Sequence, residues 1–224
     1  MGGLMLTASN RCGRGVEGYE GPRGMERAAM HVRRLGGVVQ YIIMDEPLFY
    51  GHDSDRGNAC HDPITSIARQ VAVKVSQARS VFPDVQIGDV EPLATIFGAG
   101  WTSEIRAWFA AYQAAVGQPL AFFDLDINWR ARGWPRQLLS VAATVRAARV
   151  PLGIVYNGTP EDTSSEAWTG SAQNHFEYVE SRLRIVPDYV ILQSWMRYPR
   201  HMLPENAPGT MSNLLLSYLR WRTR

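Results

Sequence analysis

One stretch constrains the fold more than any other feature of the sequence: residues 38–50, VVQYIIMDEPLFY. Seven uncharged residues, most of them with strand-forming side chains, precede two carboxylates, Asp45 and Glu46, and then Pro47. A nearly continuous apolar run is typical of a strand buried on both faces, as in a parallel sheet covered by helices. Both carboxylates are therefore predicted at the carboxyl end of a strand, where β/α folds carry their functional side chains.

Four later apolar runs end in the same way, with acids, amides or an aromatic side chain. They end in Asp89 and Glu91 (residues 85–92), in Asp124, Asp126 and Trp129 (120–129), in Asn157 (152–158), and in Gln193 and Trp195 (189–195). A short apolar run over residues 2–8 precedes them as a further strand. Helical patterns separate the runs, from Pro22 to Gly36, from Pro63 to before Pro83, and over about residues 102–116, 135–148 and 165–184.

The alternation of strands and helices predicts an α/β fold with a parallel sheet. About six such units fit into the 224 residues, whereas a closed eight-stranded barrel takes about 250. Two architectures remain open: a (β/α) TIM-barrel-like sheet that is incomplete at its amino end, and an open doubly wound sheet. Polar side chains at almost every strand end, rather than at one switch point, favour the incomplete barrel. A single domain over residues 1–224 is expected, because no linker or low-complexity segment divides the chain.

Composition and charge narrow the classes of partner. Hydrophobic residues make up 46% of the chain and charged residues 20%, which is ordinary for a globular domain. A formal net charge of +2 argues against a dedicated nucleic-acid surface. No apolar run approaches the roughly 20 residues of a membrane-spanning helix, and the amino terminus lacks a signal-peptide pattern. The expected partner is therefore neither nucleic acid nor a membrane.

Three strand-end acids are the candidate catalytic residues: Glu46, Glu91 and Asp126. Because they follow three consecutive strands, they are expected to converge at one edge of the sheet. Two carboxyls facing one cleft are the minimal machinery for glycosidic bond cleavage, one as proton donor and the other as nucleophile or base. For any one of them, a helix cap or a salt bridge is an equally good interpretation. Burying all of them without partners would be costly, which favours a shared site.

The other strand-end side chains are predicted to bind the substrate, an oligosaccharide or polysaccharide. They are Asp45, Asp89, Asp124, Trp129, Asn157, Gln193 and Trp195. Amides supply hydrogen bonds for sugar hydroxyls, and an indole ring supplies an apolar face for a pyranose. Amides that anchor loops and a Trp that packs in the core are the alternative interpretation of the same residues.

The segment Met-Asp-Glu-Pro (residues 44–47) resembles the Asn-Glu-Pro strand end of retaining glycosidases with (β/α)8 barrels, in which that Glu is the acid/base. Leu-Gln-Ser-Trp (192–195) and Leu-Pro-Glu-Asn (203–206) are similar to the closing strand of such barrels. The resemblance implies that Glu46 is the acid/base of a glycoside hydrolase. Asp45 stands in place of the usual Asn, and Asn157 stands where those families carry the nucleophilic Glu. The second carboxylate would then come from Glu91, Asp126 or Asp124.

A competing class is a carbohydrate-binding or decayed barrel without catalysis. A barrel that lacks strands exposes sheet edges, so a homo-oligomer that covers them is expected in either case. An enzyme would cleave a sugar chain and need Glu46 to do so, whereas a binding protein would bind the sugar without cleaving it.

Two further groups of residues are candidates, one for a metal site and the other for a disulfide. His52, Asp53, Asp55, His61 and Asp62 follow the first acidic strand but match no fixed ligand spacing, so solvated loop residues are favoured over a metal site, and no cofactor is predicted. Cys12 and Cys60 fall in loops after neighbouring strands, where a disulfide and two free thiols fit equally well. A disulfide would suit a periplasmic or secreted protein.

Overall fold

Strands and helices alternate along the chain in the computed structural model, which describes residues 3–4, 6–7, 12–14, 16, 19–54, 57–93 and 100–223. The strands are β1 (Gly3–Leu4), β2 (Leu6–Thr7), β3 (Tyr19–Glu20), β4 (Tyr41–Asp45), β5 (Gln86–Leu93), β6 (Phe123–Ile127), β7 (Leu152–Tyr156) and β8 (Tyr189–Leu192). The helices are α1 (Gly24–Arg34), α2 (Ile64–Arg79), α3 (Trp101–Val116), α4 (Trp134–Ala147), α5 (Ser165–Glu177) and α6 (Met211–Arg222). Two π-helical turns follow β4 and α5, over Phe49–Asp53 and Tyr178–Arg182.

Over the described residues, the main sheet has six strands in the order β1-β4-β5-β6-β7-β8, which is their order along the chain. The pairs β1–β4, β4–β5 and β7–β8 are parallel, and a helix connects each strand from β4 onwards to the next. The short strands β2 and β3 form a separate parallel pair. Parallel strands in chain order with connecting helices are the topology of a (β/α) barrel, here with fewer than its eight strands. The predicted fold class, an incomplete TIM-barrel-like α/β fold, is confirmed.

The chain divides into two compact units. The first consists of Met1–Pro92, Phe97–Asp124 and Ala143–Pro151, and the second of Leu93–Ile96, Leu125–Ala142 and Leu152–Arg224. The single domain over residues 1–224 stays a prediction. Within the part of the chain that the structure describes, no helix combines the length and apolar character needed to cross a bilayer.

The core of the first unit is built where β5 meets the segment before β6. Residues alternate along β5 so that Ile87, Asp89 and Glu91 share one face and all three are buried. Gly88 lies between them, and a Cβ at this position would come within 2.0 Å of the Phe122 ring. A glycine is therefore required for the aromatic ring to pack directly on the strand backbone.

The strand that carries Asp45 and Glu46 is shorter than its apolar run. After β4 the chain turns at Glu46 and becomes helical at Pro47, and the π-helical turn then continues to Asp53. Proline at the first helical position is favourable because its missing N–H would have had no helical partner. His52 and Asp53, interpreted above as solvated loop residues, therefore lie at the end of a helical turn. The Glu91 side chain of β5 stabilises the start of this turn.

A disulfide joins Cys12 and Cys60, whose Cα atoms are 5.1 Å apart across a sequence separation of 48 residues. Among the described residues there is no free cysteine. The amide of Gly13, next to Cys12, also donates to the carbonyl of Asn58 at 2.7 Å. The disulfide and this hydrogen bond hold the first loop of the chain against the loop after β4.

A thiol titration checks this pairing. The denatured, unreduced protein should show no reactive cysteine, and the reduced protein should show two, since the sequence contains two. Cutting a crosslink of this span should lower the free energy of unfolding by about 2–4 kcal/mol, because the unfolded chain gains freedom. Cys12→Ser with Cys60→Ser is the matched comparison, and two reactive thiols in the unreduced parent protein would contradict the pairing.

Candidate functional site

Five carboxyl groups of the first unit lie on, or directly after, β4, β5 and β6. They are Asp45, Glu46, Asp89, Glu91 and Asp124. The charges of Asp124 and Asp45 act on Asp89, and those of Asp89 and Glu46 act on Glu91. Ionising all of these carboxyl groups at once costs free energy, because their negative charges repel one another. The group therefore keeps protons at pH values where isolated carboxyls would lose them. Two of the three predicted catalytic acids, Glu46 and Glu91, belong to this group, and their predicted roles stay predictions.

Glu46 occupies a strained position at the end of β4. Its φ is 52°, in the left-handed region that a residue with a long side chain rarely adopts. Its backbone is held on both sides, because its N–H donates to the Val90 carbonyl at 2.9 Å and its carbonyl accepts from the Tyr50 N–H at 2.9 Å. The residue is half-buried. Left-handed non-glycine residues cost about 1–3 kcal/mol and are concentrated at functional sites.

Glu91 caps the helical turn that follows Glu46. One of its carboxylate oxygens accepts from the Leu48 N–H at 2.6 Å, and the other accepts from the Phe49 N–H at 3.0 Å. These donors have no partner within the turn itself, so the side chain replaces the usual local cap. Burial raises the pKa of Glu91, and the charges of Asp89 and Glu46 raise it further, against the effect of the two amide donors. The carboxylate of Glu91 thus fixes the start of the turn that follows Glu46, and its predicted catalytic role stays a prediction.

Asp89 and Asp124 are completely buried behind the strand ends. The Trp108 indole N–H donates to Asp89 Oδ2 at 2.6 Å, which fixes that carboxyl against α3. Burial raises the pKa of Asp89, the Trp108 hydrogen bond opposes this, and the charges of Asp124 and Asp45 add to it. Neither oxygen of Asp124 has a hydrogen-bond partner among the described residues, and burial raises its pKa to about 7. Asp124 therefore holds a proton over much of the acidic range.

A second group of predicted residues lies in the second unit, around Trp129. The Trp129 indole N–H donates to Asn157 Oδ1 at 2.6 Å, and His175 Nδ1 is 2.8 Å from the Asn157 carbonyl oxygen. The Trp129 and His175 rings stack with centroids 4.0 Å apart and an interplanar angle of 6°. Trp134 meets Trp129 edge-on at 5.0 Å. Burial lowers the pKa of His175, so the neutral ring is favoured in this stack.

His175 is the residue of this group that the sequence did not single out. It lies on α5 among apolar positions, and nothing in its spacing distinguishes it from a packing residue. Its contact with Trp129 depends on how α5 packs, which a local pattern does not encode. Asn157 is buried and engaged through both its side chain and its carbonyl, so it acts here as an anchor for Trp129.

Three further predicted residues lie elsewhere in the second unit. Asp126 is half-buried on β6, Gln193 is half-buried directly after β8, and Trp195 is 55% exposed in the following loop. Their predicted roles in catalysis and binding stay predictions.

The structure brings two of the candidate metal-binding residues together, and it adds a third residue from another helix. His52 and Asp53 lie within 4.8 Å of Glu104, counted between one candidate ligand atom of each residue. Glu104 comes from the first turn of α3, more than fifty residues away in sequence, and was not foreseen. Asp55 lies outside the described residues, and His61 and Asp62 are not part of this trio.

No family model matches the sequence, and a search among curated proteins finds no match either. Solved structures match in fold. The native form of CbXyn10B, a family 10 xylanase, is 12% identical with a TM-score of 0.50, and the match covers 84% of this chain and 59% of that one. BuGH86 in complex with neoagarooctaose is 14% identical with a TM-score of 0.52, and the match covers 90% of this chain and 39% of that one.

The match therefore spans little more than half of the xylanase and less than half of BuGH86. At such low identity the likeness concerns the fold, and it agrees with the strand order found here. The fold of this chain is that of a partial (β/α) barrel, with six strands in chain order among the described residues.

Proposed function

We propose that this chain is a carbohydrate-active hydrolase that cleaves glycosidic bonds, with Glu46 as the general acid/base. The observation that carries the proposal is Glu46 itself, a half-buried glutamate held in a left-handed conformation at a strand end. Glycosidic cleavage needs a carboxylic acid placed to protonate the leaving oxygen. The acid cluster around Glu46 keeps protons available in the acidic to neutral range.

The residues around Glu46 take supporting roles. Glu91 fixes the turn that begins at Pro47, and so fixes the direction in which the Glu46 side chain leaves the strand. Asp89 and Asp124 are buried in the same unit, and burial raises the pKa of both, so they are proposed to hold protons near the site. Asp45 is half-buried beside Glu46 and is proposed to accept hydrogen bonds from sugar hydroxyls.

The substrate is proposed to be an oligosaccharide or polysaccharide. One protein of similar fold, BuGH86, is seen with neoagarooctaose, an observation that belongs to that protein and supports a sugar chain as the ligand class here. Trp129 of the second unit is half-buried, and its indole ring is proposed to pack against a pyranose. Asp126 stays the sequence-based candidate for the second carboxylate, since Glu91 has both oxygens occupied.

A non-catalytic carbohydrate-binding protein is the second candidate function, and Asn157 favours it. The resemblance to retaining glycosidases would place the nucleophilic Glu at this position, whereas Asn157 is buried and hydrogen-bonded to Trp129. An amide in this role cannot attack the anomeric carbon. The two functions therefore differ in whether the chain releases product.

A panel assay separates them. The chain is incubated with soluble polysaccharides and oligosaccharides of plant and algal origin, and new reducing ends and gel retardation in the presence of each polymer are measured in parallel. We expect product from at least one of them, with the rate falling when Asp126 is replaced by Asn. Retardation by a polymer without any new reducing ends would support the binding protein and contradict the hydrolase.

A further inference from the structure

A second polar cluster lies in the first unit, apart from the five strand-end carboxyls. His52 and Asp53 are the last two residues of the π-helical turn after β4, and Glu104 faces them from the first turn of α3. One candidate ligand atom from each residue lies within 4.8 Å of the other two. Three side chains from two separate elements thus meet within the span of a single metal ion's coordination sphere.

The His52 ring is fixed in a form that leaves one nitrogen for a ligand. Its Nδ1 lies 2.8 Å from the Asp62 carbonyl oxygen, and because a carbonyl only accepts, Nδ1 carries the hydrogen. In the neutral ring, Nε2 then has the free lone pair. In most metal-binding histidines, one ring nitrogen binds the metal and the other donates a hydrogen bond, often to a backbone carbonyl.

Hydrogen bonds also stabilise the segments on either side of His52. The Asp62 N–H donates to the Gly51 carbonyl at 2.8 Å, and the Gln70 amide of α2 donates to the Asp62 carboxylate at 2.8 Å. Ser54, which follows the cluster, is buried and donates its N–H to the Phe49 carbonyl at 2.8 Å. The Asp62 carbonyl that orients the ring therefore belongs to a residue that is itself held by two hydrogen bonds.

The two carboxyls of the cluster are in direct contact. Burial, the charge of Glu104 and a hydrogen bond with Glu104 together raise the pKa of Asp53 to about 6. Asp53 Oδ2 is buried and has no hydrogen-bond partner among the described residues. A bound cation would remove the repulsion between the carboxyls and give this oxygen a partner.

We propose that His52, Asp53 and Glu104 bind a divalent transition-metal ion of the Zn²⁺ or Mn²⁺ class. One imidazole nitrogen with two carboxylates suits these ions, whereas Ca²⁺ and Mg²⁺ favour all-oxygen sets. The ion would tie the turn after Glu46 to the first turn of α3. This site does not depend on the proposed hydrolase function, because its ligands differ from the strand-end acids.

Isothermal titration with ZnCl₂ and with MnCl₂ tests the proposal, on tag-free protein with its disulfide intact and after dialysis against a chelator. We expect one site per chain, lost or weakened at least about 10-fold in Asp53→Asn and in Glu104→Gln, since even an outer-shell partner contributes about 10- to 100-fold to metal affinity. At 100 times the dissociation constant, the ion should also raise Tm by about 5–10 °C.

His61→Asn is the matched control. His61 is an exposed histidine of the same loop with a left-handed φ of 50°, which asparagine also tolerates, and it is outside the trio. The charge of His61 acts on Asp53, so removing this side chain should leave the affinity for the cation at least as high as in the parent chain. Equal affinity in the parent, Asp53→Asn and Glu104→Gln proteins would overturn the site. If Ca²⁺ bound as tightly as Zn²⁺ and Mn²⁺, the assignment of His52 as a ligand would be contradicted.

Discussion

Replacing Glu46 by glutamine should reduce glycoside hydrolysis by about 10²- to 10⁴-fold, the usual contribution of a general acid. Glutamine keeps the shape of the side chain and can hold the same left-handed backbone, but it has no proton to donate. Sugar affinity and Tm should therefore stay close to those of the parent protein. The measurement is the initial rate on whichever glycoside the parent chain cleaves, together with a binding isotherm on the same glycoside.

Glu205→Gln is the matched control for this experiment, because Glu205 is an exposed glutamate in the loop before α6. It should leave the rate unchanged. Full activity in Glu46→Gln would contradict the assignment and direct the same test to Glu91 and Asp126. A large drop in Tm instead would show that Glu46 acts through folding, and the binding isotherm distinguishes the two outcomes.

The Asp124→Asn variant should flatten the dependence of stability on pH. Burial raises the pKa of Asp124 from an ordinary 3.8 to about 7. A raised folded-state pKa means that the stabilising contribution is complete below about pH 4 and is lost as the pH rises through about 7. Between pH 5 and pH 8 this loss amounts to about 2–3 kcal/mol, and an uncharged Asn does not show it.

Urea unfolding at the two pH values, with the disulfide intact, measures this effect as the difference between parent and variant. Other groups that titrate in both proteins, including half-buried His175, largely cancel in that difference. Asp84→Asn, at an exposed position before β5, is the control and should follow the parent protein. The same pH slope in Asp124→Asn and in the parent would show that Asp124 ionises without cost.

The sequence predicted the strand ends well because the signal there is local. An apolar run that stops at a carboxylate is visible in residues 38–50 without any knowledge of the fold, and the same holds for the runs ending in Asp89, Asp126 and Asn157. Hydrophobic periodicity also predicted α2, α3 and α4 to within a few residues of their observed bounds. Parallel order followed from the spacing of these elements.

The sequence alone did not distinguish the role of each acidic residue. Glu91 looked equivalent to Glu46 in sequence, since both follow an apolar strand and precede a proline. The structure separates them: Glu91 is fully buried and caps the turn at Leu48, whereas Glu46 is half-buried in a left-handed conformation. That difference arises from the register of β4 against β5, in which Asp45 lies opposite Val90.

The sequence alone thus determined the class of fold and the set of polar residues at its strand ends, because hydrophobic patterning and turn chemistry act over a few residues. Only the tertiary structure brought Glu104 to His52 and Asp53, and His175 to Trp129. These contacts join residues far apart in the chain, and they depend on how helices pack against neighbouring elements. Such packing results from the sum of many weak side-chain contacts, which no single stretch of the sequence encodes.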